Sequence, residues 1–394
     1  MKSNITDKSL FDYVGTSMIE TYDVGSMPFF GDFKKFSDGS AKFASYPSDI
    51  YGNESESSAA YFERKVVNAF IEKLRAGINI PNYPQFRDMT RMFLEMMDGV
   101  EKIGGSYIET KLLSPKTGKL DIPEVLALKR NSKNIYEIFH STFRVKICIT
   151  GPYTLSSLFA YKDPELYSRI GDFLAEIVKE NIFSNKYGKV ELLALDEPTF
   201  GLIDDPMMDA GSIGRENLLH AWEKIFHKAQ EKGVRTCLHL HSTTDELFWE
   251  VDSLKIIESH VNDSLYSSNK TKELLELKDK FLKASISYSN FDVLIRKKIL
   301  SDSAGKTGDV TQVIGNVWRK IRSNEINPTV FLENVELMKM RLLKIIDMFG
   351  LERIHYAGSE CGLRGFPTSR SAIECLKRVS ETVKIANATY ISGK

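Results

Sequence analysis

A cysteine and two histidines alternate at the end of one apolar stretch of the sequence, Cys237-Leu-His239-Leu-His241. Alternate residues of a β-strand project from the same face, so the three side chains can share one face if the strand extends that far. Imidazole nitrogen and thiolate sulfur are ligands that zinc prefers in proteins. The spacing therefore indicates a metal site. A core cysteine followed by two hydrogen-bonded histidines is an equally good interpretation of this fragment alone.

Two further potential ligands follow other apolar stretches. Glu258 comes directly after the apolar run at 254–257, and Cys361 lies in a glycine-flanked segment just past the last predicted strand. Glycines permit a tight turn that can present a thiolate inward. The alternatives are a glutamate that faces solvent and a buried thiol without a role.

Two more polar segments could hold a small substrate. Asp196 and Glu197 stand before a proline at the end of a predicted strand. They could bind a cationic group, or they could cap the helix that follows. Gly25 and Ser26 follow the first predicted strand, where exposed backbone N–H groups could hold a carboxylate.

The elements that must position these residues alternate between short apolar runs and longer amphipathic stretches, a pattern typical of a parallel sheet. About eight such units predict an α/β fold, a (β/α)8 TIM barrel with insertions in the βα loops, over a single domain of residues 1–394; a doubly wound sheet is the alternative. Insertions are expected at about 30–57 and 300–328, on the active-site face. The predicted strands are Thr21–Gly25, Arg144–Thr150, Val190–Leu195, Val234–His239, Leu254–Glu258, Ser285–Ser289 and Arg353–Ala357, with a weaker one near Gly77–Ile80.

Composition narrows the function classes. The 394 residues carry 53 basic and 53 acidic side chains, so the formal net charge is zero. Neither a nucleic-acid partner nor a membrane surface is expected from this balance, and no apolar run reaches the length of a membrane span. The four cysteines are sparse, and the first residues lack the apolar core of a signal peptide. A cytoplasmic location is therefore expected.

Six motifs and a glutamate, taken in order, resemble the C-terminal catalytic domain of cobalamin-independent methionine synthase. They are VGSMP, RDMTRMFLEMMDG, TGPYT, LDEPTFG, HLHSTTDE, the glutamate at 258, and SECGLRGFPTSR. The resemblance covers nearly the whole chain and implies a (β/α)8 barrel. It also implies a zinc ion that activates the thiol of homocysteine, or of a related thiol, for methylation to methionine or another thioether. The second, N-terminal barrel of that family has no counterpart here, so a short single-barrel homologue is expected.

Carried over position by position, the resemblance implies a Zn2+ site made of His239, His241, Glu258 and Cys361. His241 stands where the family has a cysteine, and Cys237 is an alternative ligand. Replacing a thiolate by a neutral imidazole raises the net charge of the site by one. We expect a stronger Lewis acid and a less nucleophilic bound thiolate.

The resemblance further implies that Gly25 and Ser26 hold the carboxylate of the acceptor and that Asp196 holds its ammonium. Arg91 occupies the position of a family glutamate that also contacts this ammonium. A base in place of an acid should repel an ammonium and attract an anion. The acceptor thiol is therefore expected to carry an extra acid or to lack the amine, unless Arg91 turns outward on its helix.

The histidine that delivers a proton in the family has no counterpart in the matching segment, which leaves Asp292 and His355 as candidates for the catalytic acid. A missing acid would fit a methylated corrinoid protein as methyl donor, and a folate-type donor is the other possibility. Two further alternatives remain. One is a metal-dependent hydrolase or lyase, because a metal held by histidines also activates water. The other is a degenerate metal-binding barrel without methionine synthase activity.

Overall fold

The computed structural model describes residues 18–43, 57–118, 120–302 and 310–392. The strands of this part of the chain are β1 (Glu20–Thr21), β2 (Met97–Ile103), β3 (Ser106–Pro115), β4 (Phe143–Thr150), β5 (Gly188–Glu197), β6 (Arg235–Leu240), β7 (Ile256–Glu258), β8 (Phe281–Ser287) and β9 (Ile354–Ser359). Seven of them form one parallel sheet in the order β1-β9-β8-β7-β6-β5-β4, and β2 and β3 form an antiparallel hairpin. The parallel α/β prediction is thereby confirmed.

Helices connect the strands of the sheet. They are α1 (Phe33–Phe43), α2 (Ser58–Arg75), α3 (Arg91–Leu94), α4 (Pro123–Arg130), α5 (Ser132–Phe139), α6 (Pro152–Ser156), α7 (Leu166–Asn181), α8 (Ile213–Gln230), α9 (Asn269–Leu277), α10 (Phe291–Asp302), α11 (Val310–Arg322), α12 (Val335–Phe349) and α13 (Ser369–Ser392). Several begin where a polar side chain accepts a hydrogen bond from a free backbone N–H of the first turn, as Ser57 does for α2 and Ser212 for α8. None of the helices in the described ranges is long and apolar enough to cross a membrane.

The strands of the sheet are rich in apolar residues because both faces of a parallel sheet are buried. In β4, for example, Val145, Ile147 and Ile149 are all buried. The register of the sheet places Asp196 of β5 beside His239 of β6, and His239 beside Glu258 of β7. The polar ends of these strands therefore meet at one carboxyl edge.

An extended segment at 79–85 contacts both edge strands of the sheet, although it is not itself a strand. Its backbone N–H groups at Asn79 and Ile80 donate to Thr21 of β1, while Tyr83 donates to Lys146 of β4, which donates back to Pro81. The weaker strand predicted near Gly77–Ile80 is thus absent as a regular element. The described residues give seven sheet strands rather than the eight expected.

Both predicted insertions contain helices. The first includes α1, whose Phe36 and Phe43 pack against Phe62 of α2, and its remainder at 44–56 lies outside the described residues. The second includes α11, and residues 303–309 likewise lie outside them. The β2–β3 hairpin was not predicted from the sequence, because its alternation of apolar and polar residues is weak and it leaves Ile103 and Leu112 exposed.

Candidate metal centre

Three histidines and one cysteine converge at the carboxyl edge of the sheet. His239 belongs to β6, His241 follows that strand, His260 lies two residues after β7, and Cys361 lies two residues after β9. Each residue offers one ligand atom, and these four atoms all lie within 4.8 Å of one another. The sulfur of Cys361 is 3.5 Å from Nε2 of His241. Residues far apart in the sequence thus form one compact donor group.

The four residues fit a zinc ion by both geometry and chemistry. Both ring nitrogens of His239 and Nε2 of His260 are buried and have no hydrogen-bond partner within the described part of the chain. A buried polar atom without a partner is costly, and a metal ion would supply the missing contact. Imidazole nitrogens and one thiolate are donors that suit zinc in a tetrahedral site.

Glu258, which the resemblance implies as a ligand, lies outside this group of four. It is fully buried, and Oε2 forms an ion pair with Nζ of Lys283 at 2.7 Å. Its Oε1 is 3.9 Å from Nζ of Lys146 and 3.3 Å from Nδ1 of His239. Burial alone would raise the pKa of Glu258, but Lys283 and Lys146 outweigh burial and hold this pKa well below the usual range. The carboxylate is therefore ionised and faces two lysines.

The donor group is electrically neutral when it holds no cation. Burial lowers the pKa of His241 to about 3, with His239 and His260 adding to the effect. Burial also lowers the pKa of His239 and of His260, and it raises the pKa of the Cys361 thiol to about 12. Neutral imidazoles are ready to bind a metal, whereas the thiol must lose its proton as the metal arrives.

Asp196 lies next to this group, beside His239 in the register of the sheet. Its side chain is buried, and Oδ1 has no hydrogen-bond partner among the described residues. Burial raises the pKa of Asp196 to about 7, although Lys146 opposes the shift. The sequence prediction placed a ligand ammonium here, and the free acceptor atom suits one.

Glu197, the neighbour of Asp196, is used by the fold. Its carboxylate accepts hydrogen bonds from the backbone N–H groups of Tyr153 and Thr154, at 3.0 and 2.7 Å, and from Nε1 of Trp222 at 2.9 Å. It therefore caps the N-terminus of α6 and ties it to α8. Of the two interpretations of this acidic pair, helix capping describes Glu197.

The Gly25-Ser26 segment lies against the segment that carries Cys361. The backbone N–H of Leu363 donates to the carbonyl of Ser26 at 2.7 Å, and a Cβ added at Gly362 would overlap the hydroxyl of Ser26. Gly25 has a φ of +143°, and a Cβ there would lie 2.5 Å from Nδ2 of Asn82. Glycine is therefore required at position 25 by both conformation and space.

The other predicted site residues are not members of the donor group. The side chain of Arg91 is 68% exposed and pairs with Glu95 at 2.6 Å, which is the outward-facing alternative. Asp292 is exposed and accepts a hydrogen bond from Nε1 of Trp318. His355 is the second residue of β9, so it lies at the amino edge of the sheet, opposite the donor group, where its ring stacks on Phe281.

A groove of about 880 Å³ opens at the same edge of the sheet, between the loops that follow β4, β5 and β6. Its lining includes Tyr153 and the four aspartates Asp204, Asp205, Asp209 and Asp245. Only Asp245 forms an ion pair with a basic side chain within the described residues, and its partner is Arg215. The groove therefore carries net negative charge.

His260 is the site residue that sequence reasoning missed. It stands two positions after Glu258, the same spacing that separates His239 from His241. The sequence shows this spacing, but alternate residues share a face only within a strand, and His260 lies beyond the end of the three-residue strand β7. The chain bends at this point, and Asn262 has a positive φ of 69°.

No family model matches this chain, and no curated protein matches it. Solved structures do match. A B12-independent methionine synthase from Shewanella sp. W3-18-1, in complex with selenomethionine, is 16% identical with a TM-score of 0.58, covering 95% of this chain and 99% of that one. A methyltransferase from Methanosarcina mazei is 10% identical with a TM-score of 0.46, covering 95% and 94% of the two chains. The 3-keto-D-glucoside 4-epimerase from E. coli is 8% identical with a TM-score of 0.39, covering 92% and 99%. At these identities the likeness establishes the α/β fold alone.

Proposed function

We propose that this protein is a zinc-dependent methyltransferase that moves a methyl group to the sulfur of a small thiol, homocysteine or a relative of it. The convergence of His239, His241 and Cys361 beside the free carboxylate of Asp196 carries this proposal. The matching motifs and the methionine synthase among the structural neighbours support it.

The metal ligands common to the sequence prediction and the donor group are His239, His241 and Cys361. The fourth position has two candidates, Glu258 and His260. A zinc ion held by these side chains would bind the acceptor thiol and lower its pKa from about 8.5, so that a thiolate is available near neutral pH.

The acceptor is held by groups on two neighbouring parts of the sheet edge. Asp196 takes the ammonium, because its buried Oδ1 lacks a partner. The Gly25-Ser26 backbone takes the carboxylate beside Cys361. Because Arg91 is exposed and paired with Glu95, it does not exclude the amine, and an ordinary amino-acid thiol is the first acceptor to test.

The methyl donor enters through the acid-lined groove. Its negative charge disfavours a polyglutamylated folate, so a methylated corrinoid is the donor that we propose. In the transfer, the acceptor sulfur forms a bond to the methyl carbon as the bond between donor and methyl breaks. The thiol proton is released, and the electron pair of the broken bond stays on the donor. A corrinoid leaving group needs no proton, so the proposed transfer requires no acid at Asp292 or His355.

We further propose that the fold is a (β/α)8 barrel in which the segment at 79–85 takes the place of the eighth strand. Its hydrogen bonds to Thr21 and Lys146, on both edge strands, support this interpretation. So does the TM-score of 0.58 to the methionine synthase structure.

A zinc assay and a thiol panel test the proposed function together. Protein purified without added metal is analysed for zinc, and methyl transfer from methylcobalamin is followed with homocysteine, cysteine and a thiol that lacks the amine. We expect about one zinc per chain and transfer that depends on both zinc and thiol. Protein without zinc, or zinc-loaded protein that methylates none of the thiols, would refute the proposal.

A further inference from the structure

A buried carboxylate and two buried lysines lie directly behind the donor group. Glu258, Lys146 and Lys283 each have no exposed side-chain surface. Both lysines face the single carboxylate, and Lys283 also donates to the carbonyl of Ser359. Nζ of Lys146 lies 4.7 Å from the centre of the Tyr22 ring. The three ionised groups carry one net positive charge.

This arrangement fixes the carboxylate where it stands. Removing one member of a buried ion pair leaves an uncompensated charge, which is strongly unfavourable. If Glu258 turned toward a metal ion, Lys283 would lose the ion pair at 2.7 Å. A second cation, Lys146, would lose its closest carboxylate as well. The electrostatics therefore oppose the use of Glu258 as a metal ligand.

The carboxylate of Glu258 instead faces the Nδ1 side of the His239 ring. Oε1 of Glu258 lies 3.3 Å from Nδ1 of His239, within reach of a hydrogen bond. Neither ring nitrogen of His239 has a hydrogen-bond partner among the described residues, so one is free for this carboxylate and the other for a metal ion. A metal-bound histidine commonly donates its other N–H to a carboxylate, which fixes the ring and the tautomer. Glu258 occupies the position of such a partner.

His260 supplies a donor atom that the carboxylate does not. Its Nε2 is buried without a partner in the described part of the chain, and His260 belongs to the group whose ligand atoms all lie within 4.8 Å of one another. Its ring centre is 4.1 Å from that of His241. Three imidazoles and one thiolate complete a four-coordinate set without any carboxylate.

We propose that Glu258 is a positioning residue that holds His239 by Nδ1 and that His260 is the fourth metal ligand. This inference rests on the proposed function only for the presence of zinc. Three neutral imidazoles and one thiolate leave one net positive charge on the site. Because this set holds no carboxylate, an incoming thiol would bind the zinc as a fifth ligand or by displacing an imidazole.

X-ray absorption at the zinc edge, combined with chelator competition on the folded protein, tests this assignment. We expect the wild type to show three imidazoles and one sulfur. Glu258→Gln should keep that shell, because the amide oxygen can still accept from Nδ1, and should bind zinc about 10- to 100-fold more weakly. Glu258→Met, whose thioether sulfur is only a weak acceptor, should bind zinc more weakly still. His260→Ala should lose one imidazole and bind more weakly than Glu258→Gln.

Two further variants test whether a loss of zinc affinity comes from misfolding. Glu258→Gln leaves two lysines facing no carboxylate, so the double variant Glu258→Gln/Lys283→Met removes one charge from each side of the ion pair. Glu197→Gln alters a buried carboxylate on β5 that caps a helix, and it should leave zinc affinity unchanged.

A wild-type shell with two imidazoles and one carboxylate oxygen, which changes in Glu258→Gln and persists in His260→Ala, would overturn the assignment. That outcome would leave the proposed function intact. A wild type that binds no zinc would instead remove the proposed function.

Discussion

Replacing Asp196 by asparagine should stabilise the free protein while it impairs acceptor binding. The carboxylate is buried, with Oδ1 unpartnered in the described structure. Asparagine has nearly the same shape as a protonated aspartate, so Asp196→Asn removes the cost of a buried charge. The same change removes the anion that would receive the ammonium of the acceptor.

The size of the effect follows from the pKa of Asp196. Burial raises this pKa from 3.8 to about 7. Because Asp196 ionises at lower pH in the unfolded chain than in the folded one, its contribution to wild-type stability falls as the pH rises from about 4 to about 7 and stays low above that. At 1.36 kcal/mol per pKa unit, the variant should be more stable than wild type by about 2 kcal/mol at pH 5 and about 4 kcal/mol at pH 8. The difference between the two pH values, about 2 to 3 kcal/mol, does not depend on how well the amide packs.

Urea denaturation of metal-free protein between pH 5 and pH 8 measures this difference. Asp172→Asn is the matched control, since Asp172 is 61% exposed and pairs with Lys224 at the surface. It should give stability curves parallel to those of wild type. Parallel curves for wild type and Asp196→Asn would show that Asp196 ionises normally, and the reasoning about a buried carboxylate held ready for an ammonium would fail. With an amino-acid thiol, KM of the variant should rise about 10- to 100-fold, the loss expected for one charged hydrogen bond.

Three other changes give equally specific results. Cys361→Ser should lower the zinc content from about one per chain to a small fraction, measured by elemental analysis. Cys375→Ser, which alters a buried cysteine outside the donor group, should leave the zinc content unchanged. Equal zinc content in the two variants would show that Cys361 is not a ligand. Gly25→Ala should lower the free energy of unfolding, measured in urea, by roughly 1 to 3 kcal/mol, because a φ of +143° and the contact with Asn82 exclude a side chain. A variant as stable as wild type would show that the segment can adjust to a side chain without cost. Arg91→Glu should change KM for homocysteine less than twofold, because the side chain is 68% exposed. A large fall in KM would show that the residue at position 91 contacts the acceptor after all.

Much of the fold was predictable because its strands are short, apolar and separated by amphipathic helices. The strand that precedes Cys361 was expected at Arg353–Ala357 and is Ile354–Ser359. By contrast, the first strand was expected at Thr21–Gly25 and is regular only at Glu20–Thr21. Beyond Thr21 the chain bends at Gly25 and pairs irregularly with the segment at 79–85. Alternation of apolar residues does not reveal such irregular pairing.

The candidate site was partly predictable for a related reason. His239 and Asp196 lie at the ends of strands, and parallel strands bring their carboxyl ends together. The position of a residue along its strand also explains His355, since the second residue of β9 must lie at the opposite edge. The role that we propose for Glu258 has no signal in the sequence, because it depends on Lys146 and Lys283, which lie on other strands and carry no motif. His260 was missed because it lies past a strand of only three residues, too short for an alternating pattern to extend to it.

The central claim is that the donor group of three histidines and Cys361 holds a zinc ion that binds the acceptor sulfur. X-ray absorption at the zinc edge, measured with and without homocysteine, tests it most directly. We predict one sulfur neighbour from Cys361 in the free protein and two after homocysteine is added. An unchanged sulfur count in zinc-loaded protein at saturating homocysteine would contradict the account.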